Sequence, residues 1–147
     1  PSAQRDRGDG QGCYATARTD AARQLAEQFL SEDTDSRAVL LAGDFNAYAV
    51  EAPLQALADA GYQDLVRSFH GARMATFRYH GRLGTLDYHL ANRTATKRVL
   101  ARHIWAVNAE EPRIFAYDAQ QGLDLPENYV WRASDHNPVI TDLKLRR

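Results

Sequence analysis

Ala38-Val39-Leu40-Leu41-Ala42-Gly43-Asp44-Phe45-Asn46 runs five apolar residues straight into a glycine, a carboxylate and an amide. A short, continuous apolar run predicts a strand covered on both faces. Its polar stop puts Asp44 and Asn46 at the strand's end. Upstream, Ala17, Ala21, Leu25 and Phe29 recur every four residues beside Ala22 and Leu30, which predicts an amphipathic helix from about Thr16 to Ser31. Downstream, Pro53 suits a helix first turn and Gly61 its C-terminal cap, with Leu54, Leu57 and Ala58 on one side. Ala75–His80 and Thr85–Ala91 read as two strands joined through the turn-like Gly81-Arg82-Leu83-Gly84. Val99–Val107 reads as a further strand, and 108–133 as a long covering or functional loop. The alternation of Val139, Thr141, Leu143 and Leu145 with Ile140, Asp142 and Lys144 predicts a last strand starting after Pro138. Strands mixed with helices make the fold class α/β.

Composition bounds the remaining classes. The chain has 147 residues, 44% of them hydrophobic and 25% charged, with a net charge of −1. A free domain of about 150 residues buries roughly 70% of its unfolded surface, so a core is affordable. Disorder, collagen and a disulfide-dense mini-protein are excluded. There is no apolar run of 18 residues, so no membrane span is expected. Near-neutral charge excludes nucleic-acid binding by net charge alone but leaves a local basic face open. Residues 1–12 are polar and glycine-rich and read as a flexible start, with no apolar signal region in residues 1–15. Met74 is the only methionine, which fits removal of a methionine before Pro1 or excision from a longer chain. Cys13 is unpaired: an inert thiol in a cytosolic protein, a thiol with its partner elsewhere in a secreted one.

Three polar segments carry chemical potential: Gly43-Asp44-Phe45-Asn46, Asp87 within Leu86-Asp87-Tyr88-His89-Leu90, and Ser134-Asp135-His136-Asn137-Pro138. Singly, each reads as a turn, a local cap or a solvated pair. Together they form a constellation. Asp44 and Asp135 suit a hard divalent cation. Two carboxylates about 4 Å apart repel by about 4 kcal/mol at an effective dielectric of 20, which a cation would offset. His136 suits proton transfer, with Asp87 the natural group to fix its tautomer. The Asn46 amide suits an anionic oxygen. The sum is a site for attack of water on a phosphate ester.

Leu41-Ala42-Gly43-Asp44-Phe45-Asn46, Gly84-Thr85-Leu86-Asp87-Tyr88 and Ser134-Asp135-His136-Asn137-Pro138-Val139 resemble three ordered motifs of the endonuclease/exonuclease/phosphatase family. The flanks GDGQGCYATAR, LGTLDY, Trp105–Pro112 and Arg132-Ala133 are similar to its secreted bacterial nucleases, over about Gly8 to Leu145. The resemblance implies that Asp44 orients the attacking water or contacts the metal, and that Asn46 holds a phosphate oxygen. It implies that Asp87 supports the histidine, that Asp135 helps to ligate the cation, and that His136 acts at the scissile phosphate. Asn137 stands where the secreted branch often has Asp, with little effect expected. The cation implied is magnesium, with manganese or calcium as alternatives. The substrate implied is nucleic acid, DNA before RNA, and the location extracellular or periplasmic.

The family fold is a four-layered α/β sandwich of two packed sheets flanked by helices, about twice this length. Its first half brings an Asn after the first strand, a metal-binding Glu and another catalytic His or Tyr. No segment here matches them, and Glu27, Glu32 and Glu51 fall in the wrong order and context. Residues 1–147 are therefore expected to form the C-terminal half of the domain, incomplete for catalysis. Its open sheet face would be covered by the missing half or a second copy, and the partner of Cys13 would lie upstream. Arg67, Arg73, Arg78 and Arg82, with Tyr79 and His80, could contact a nucleic-acid backbone, Arg78 and Arg82 above all. Arg93, Lys97, Arg98 and Arg102 read as a solvated run, and Trp105 and Trp131 as core or covering residues rather than base-stacking ones. Two alternatives stand beside the nuclease: a lipid or small-molecule phosphoesterase of the same family, and a non-catalytic half-domain kept for binding or assembly.

Overall fold

A computed structural model describes residues 5–30, 37–70, 75–119, 126 and 128–145. The elements, in order, are α1 (Ala15–Leu30), β1 (Leu40–Asp44), α2 (Ala52–Asp59), β2 (Gln63–Asp64), α3 (Arg67–His70), β3 (Phe77–Tyr79), β4 (Arg82–Gly84), β5 (Asp87–Ala91), α4 (Arg93–Thr96), β6 (Val99–Ile104) and β7 (Val139–Leu143), with a 3-10 turn at Arg113–Phe115. All strand pairings are antiparallel: β1-β5-β2 in one sheet, β3-β4 as a hairpin, and β6-β7 as a third ladder.

The pleat of β5 organises the molecule. Its alternate residues point to opposite faces. Tyr88 and Leu90 turn to one side and join Leu41, Leu54, Leu57, Tyr62, Ala22 and Ala26 in the main core beneath α1 and α2. A fully buried Leu such as Leu57 contributes about 1.5–3 kcal/mol over an exposed one. Asp87 and His89 therefore emerge on the other face, where the His89 imidazole meets the Thr141 hydroxyl of β7 at 2.7 Å. Directly opposed residues in an antiparallel pair share a face, and the register sets Ala42 against His89 and Asp44 against Asp87. A slip of one residue would send either carboxylate to the wrong side.

α2 carries Pro53 in its first turn and is capped at Ala60, followed by Gly61 at φ +90°, as the sequence implies. The last strand also starts where expected, at Val139. Three expectations change. First, α1 spans its predicted residues but buries Thr19, Ala22 and Ala26, while Ala17, Ala21 and Phe29 face solvent. A strict four-residue repeat drifts about 40° per step on a helix of 3.6 residues per turn, so it cannot hold one face. Second, β1 is not covered on both faces, since only Leu41 is buried and Ala42 is exposed. Third, residues 81–84 are not the turn. The turn is His80-Gly81, both at positive φ (46° and 78°), the type I′ geometry that matches strand twist. Arg82–Gly84 is itself a strand, and β5 pairs with β1 and β2 rather than with β3. No described helix is long and apolar enough to cross a membrane.

Candidate functional site

Three separate segments converge at the ends of β1 and β5. Asp44 and Asp87 face each other as the last pair of the β1–β5 ladder. His136 reaches them from the segment before β7, through an isolated antiparallel bridge to Phe77. Its Nδ1 meets Asp87 Oδ2 at 2.7 Å, and its ring packs against Phe77 with centroids 4.6 Å apart. One ligand atom each from Asp44, Asp87 and His136 lie within 4.8 Å of one another. Asp87 and His136 are half-buried and Asp44 is open to solvent.

Local hydrogen bonds fix each member. The Asn46 backbone N–H donates to Asp44 Oδ1 at 2.8 Å and its side-chain amide to Oδ2 at 3.2 Å. Asn46 sits at φ +47°, a left-handed conformation that Asn tolerates better than most residues. Its amide thus orients Asp44, with one of its two N–H groups left over for an anionic oxygen. Behind Asp87 lies Thr76, fully buried, whose hydroxyl oxygen accepts from the N–H groups of Leu86 (3.1 Å) and Asp87 (3.2 Å). The Thr76 carbonyl accepts from the Asn137 N–H at 2.6 Å. This one residue therefore joins the Asp87 strand to the His136 segment. Past Asn46, the Tyr48 ring rests on Gly84, where a Cβ would come within 2.6 Å of it.

Asn137 is buried. Its amide donates to Glu110 Oε1 at 2.7 Å and its carbonyl oxygen accepts from the Ala109 N–H at 3.4 Å. It anchors Ala109 and Glu110, at the start of the segment after β6. Burial lowers the pKa of His89 against an opposing pull from Asp64, and pushes the Tyr88 phenol up. Tyr88 donates its hydroxyl to Thr85 O at 2.7 Å and stays neutral in the core.

Two clefts flank His136. One, of about 340 Å³, is lined by Gly43, Asp87, His89, Ser134, His136 and Val139. The other, of about 490 Å³, takes in Arg78, His80, Glu111, Arg113, Arg132 and Asp135. Asp135 thus falls outside the Asp44–Asp87–His136 group. The chain bends at Asp135, and His136 turns to Asp87 while Asp135 lines the second cleft. Strand alternation parts the two arginines expected to bind substrate. Arg78 is paired with Leu83 and Arg82 with Tyr79, so Arg78 and Arg82 lie on opposite faces of the hairpin. Arg78 keeps company with Arg113 and Arg132 instead. Arg67 lines a distant cleft beside Tyr62, and Arg73 lies outside the described residues. Trp105 is 58% exposed, not a core residue, while Trp131 is half-buried with its ring edge-on to Tyr129.

The sequence matches the Endonuclease/Exonuclease/phosphatase family over residues 5–136. The chain belongs to that family. Among solved structures, the 3′ phosphatase NExo from Neisseria, bound to product DNA hairpin, matches with a TM-score of 0.52 and 19% sequence identity. The match covers 90% of this chain and 52% of that one, so the chain spans about half the length of this structural relative. No curated protein matches. The likeness shows the endonuclease/exonuclease/phosphatase fold, with its antiparallel sheets and helices, on this chain.

Three residues of this family member's site escape a reading by motif. Thr76, just before β3, and His89, within β5, look ordinary until pairing places them. Arg18 lies four residues before buried Ala22, beside the helix face that packs inward, where a charge reads as solvated.

Proposed function

We propose that this chain carries the Asp–His part of the active site of a metal-dependent phosphodiesterase that hydrolyses nucleic acid, DNA before RNA, in the manner of the secreted deoxyribonucleases. The observation that carries the reading is the 2.7 Å Asp87–His136 contact beside Asp44, on a chain of this family. Asp87 holds one ring nitrogen of His136, which fixes the tautomer and leaves the other for proton transfer to or from a phosphate oxygen. Asn46 holds Asp44 in place to orient a water.

The Asp44 and Asp87 carboxylates are oxygen donors suited to a small divalent cation, and their mutual repulsion favours one. Magnesium fits the oxygen-rich set, with manganese or calcium in its place. Asp44 and Asp87 would hold it, while Asp135 lines the neighbouring cleft. Such an ion supplies charge stabilisation at the phosphate. Two carboxylate ligands among the described residues, and a chain half the length of its structural relative, favour a site completed from outside. The completing part is the N-terminal half of a four-layered sandwich or a second copy of the chain. An extracellular or periplasmic location belongs to the same reading.

Supercoiled-plasmid nicking tests it. The 147-residue chain alone is expected to nick little. Substantial metal-dependent nicking by the pure chain, lost in His136→Ala, would show the site to be complete and overturn the proposed incompleteness.

A further inference from the structure

One polar cluster lies behind the site, outside the metal-capable group. The Arg18 guanidinium, on α1, donates through Nη1 to the Asn46 carbonyl at 2.8 Å and to Glu51 Oε2 at 2.7 Å. Its Nε donates to Cys13 O at 3.0 Å and its Nη2 to Gln11 O. Glu51 is 5% exposed, and its other carboxylate oxygen accepts from the Tyr48 N–H at 3.0 Å. The Gln11 side chain in turn accepts from the Ala52 N–H, the first of α2, at 2.7 Å. One fork of donors therefore ties together the N-terminal loop, α1, the start of α2 and the Asp44–Asn46 turn.

We propose that Arg18, fixed by its buried ion pair with Glu51, is a positioning residue that holds Asn46 in its left-handed conformation and so aims Asp44. The geometry argues for this role. Asn46 uses its backbone N–H and its side-chain amide on Asp44, which leaves its carbonyl facing back towards α1. Arg18 takes that carbonyl and closes the turn from behind. A left-handed non-glycine residue persists only where its surroundings over-determine it. Here two bonds to Asp44 and one from Arg18 do so. A lysine cannot substitute: a single ammonium lacks the planar fork that serves four acceptors in fixed directions. Glu51 is thereby engaged as the counter-charge of Arg18 rather than as a metal ligand. This inference rests on the reading of Asp44 and Asn46 as active-site residues.

The test uses the full 147-residue chain and its Arg18→Lys, Arg18→Gln and Glu51→Gln variants, followed by amide hydrogen exchange in NMR. Expected is at least about tenfold faster exchange at the Asn46 amide in Arg18→Lys, with the Tyr88 and Leu90 amides of the core unchanged. Glu51→Gln keeps the acceptor for Tyr48 and the side-chain volume, so it reports the same loss if Arg18→Gln fails to fold. Wild-type exchange at Asn46 in Arg18→Lys would overturn the proposal, and so would equal acceleration of the core amides, which marks a merely structural role. Manganese titration of the wild type forms a separate arm, reading the broadening of Asp44, Asp87 and His136 amides. No broadening there, with Asn46 still released in Arg18→Lys, sinks the metal site and leaves the positioning contact standing. In any assembly that nicks DNA, Arg18→Lys is expected to lower kcat by about tenfold or more with KM little changed.

Discussion

Replacing Thr76 by valine removes one oxygen and almost no volume. Two backbone N–H groups, of Leu86 and Asp87, then lose their acceptor at 3.1 and 3.2 Å. Thr76 is fully buried, so no water stands ready to take its place. A buried donor left unsatisfied costs about 1–3 kcal/mol. Both donors are half-shielded rather than sealed, so a total of about 2–4 kcal/mol is expected for the pair. Thr76→Ser is the control. It keeps the hydroxyl and loses a methyl, a change of about 1 kcal/mol. Urea denaturation of the two variants against wild type gives the comparison, with equal m-values as the check on two-state behaviour. The valine variant should be the less stable by at least about 1 kcal/mol, and its His136 ring resonances should shift with the loosened Asp87. Equal stability of the valine and serine variants would refute the claim that this hydroxyl holds the Asp87 strand.

Asn137→Asp sets a carboxylate against Glu110 in place of an amide donor 2.7 Å away, in a buried site. It is expected to cost about 2 kcal/mol or more at neutral pH, with partial recovery in acid, measured by urea denaturation across pH. Burial lowers the pKa of His89, so the unfolded chain binds its proton more readily than the folded one. The stability this brings is present above the unfolded value of about 6.5 and is lost as pH falls through the lower folded value. Thermal melts between pH 7.5 and 5 should fall less steeply in His89→Gln, and parallel curves would remove His89 as the cause. Manganese or magnesium at about 100 times its dissociation constant should raise stability by about 2.7 kcal/mol in a melt. Asp44→Asn should abolish that gain, and an unchanged gain would place the ion elsewhere.

Much of the site is legible in the sequence because its members end or begin elements. Asp44 closes an apolar run, Asp87 opens a strand, and His136 precedes the proline before the last strand, so each is flagged by a change of pattern. Pairing register then brings them together, and no local pattern encodes register between strands 40 residues apart. Side-chain direction was the harder part. Asp135 and His136 are adjacent in sequence and look like one functional unit, but the chain bends there and they line different clefts. Arg78 and Arg82 are close in sequence and are parted by the alternation of the hairpin strands. Gly84 reads as turn punctuation, yet it serves the close approach of Tyr48, a contact made from a distant loop. Arg18 was hidden for another reason. A charged residue beside an apolar helix face reads as solvated, and only the fold supplies Glu51 and the Asn46 carbonyl as its partners.

The most direct measurement is nicking of supercoiled plasmid by this chain supplied with the complementary half of the domain, with magnesium, with chelator, and with His136→Ala. Expected is nicking that requires the ion, is far weaker for the chain alone, and falls by about 10²–10⁴-fold in the variant. Nicking that survives both chelator and His136→Ala, or a folded and complete domain that leaves the plasmid intact, would contradict the assignment of Asp44, Asp87 and His136 as a phosphodiesterase site.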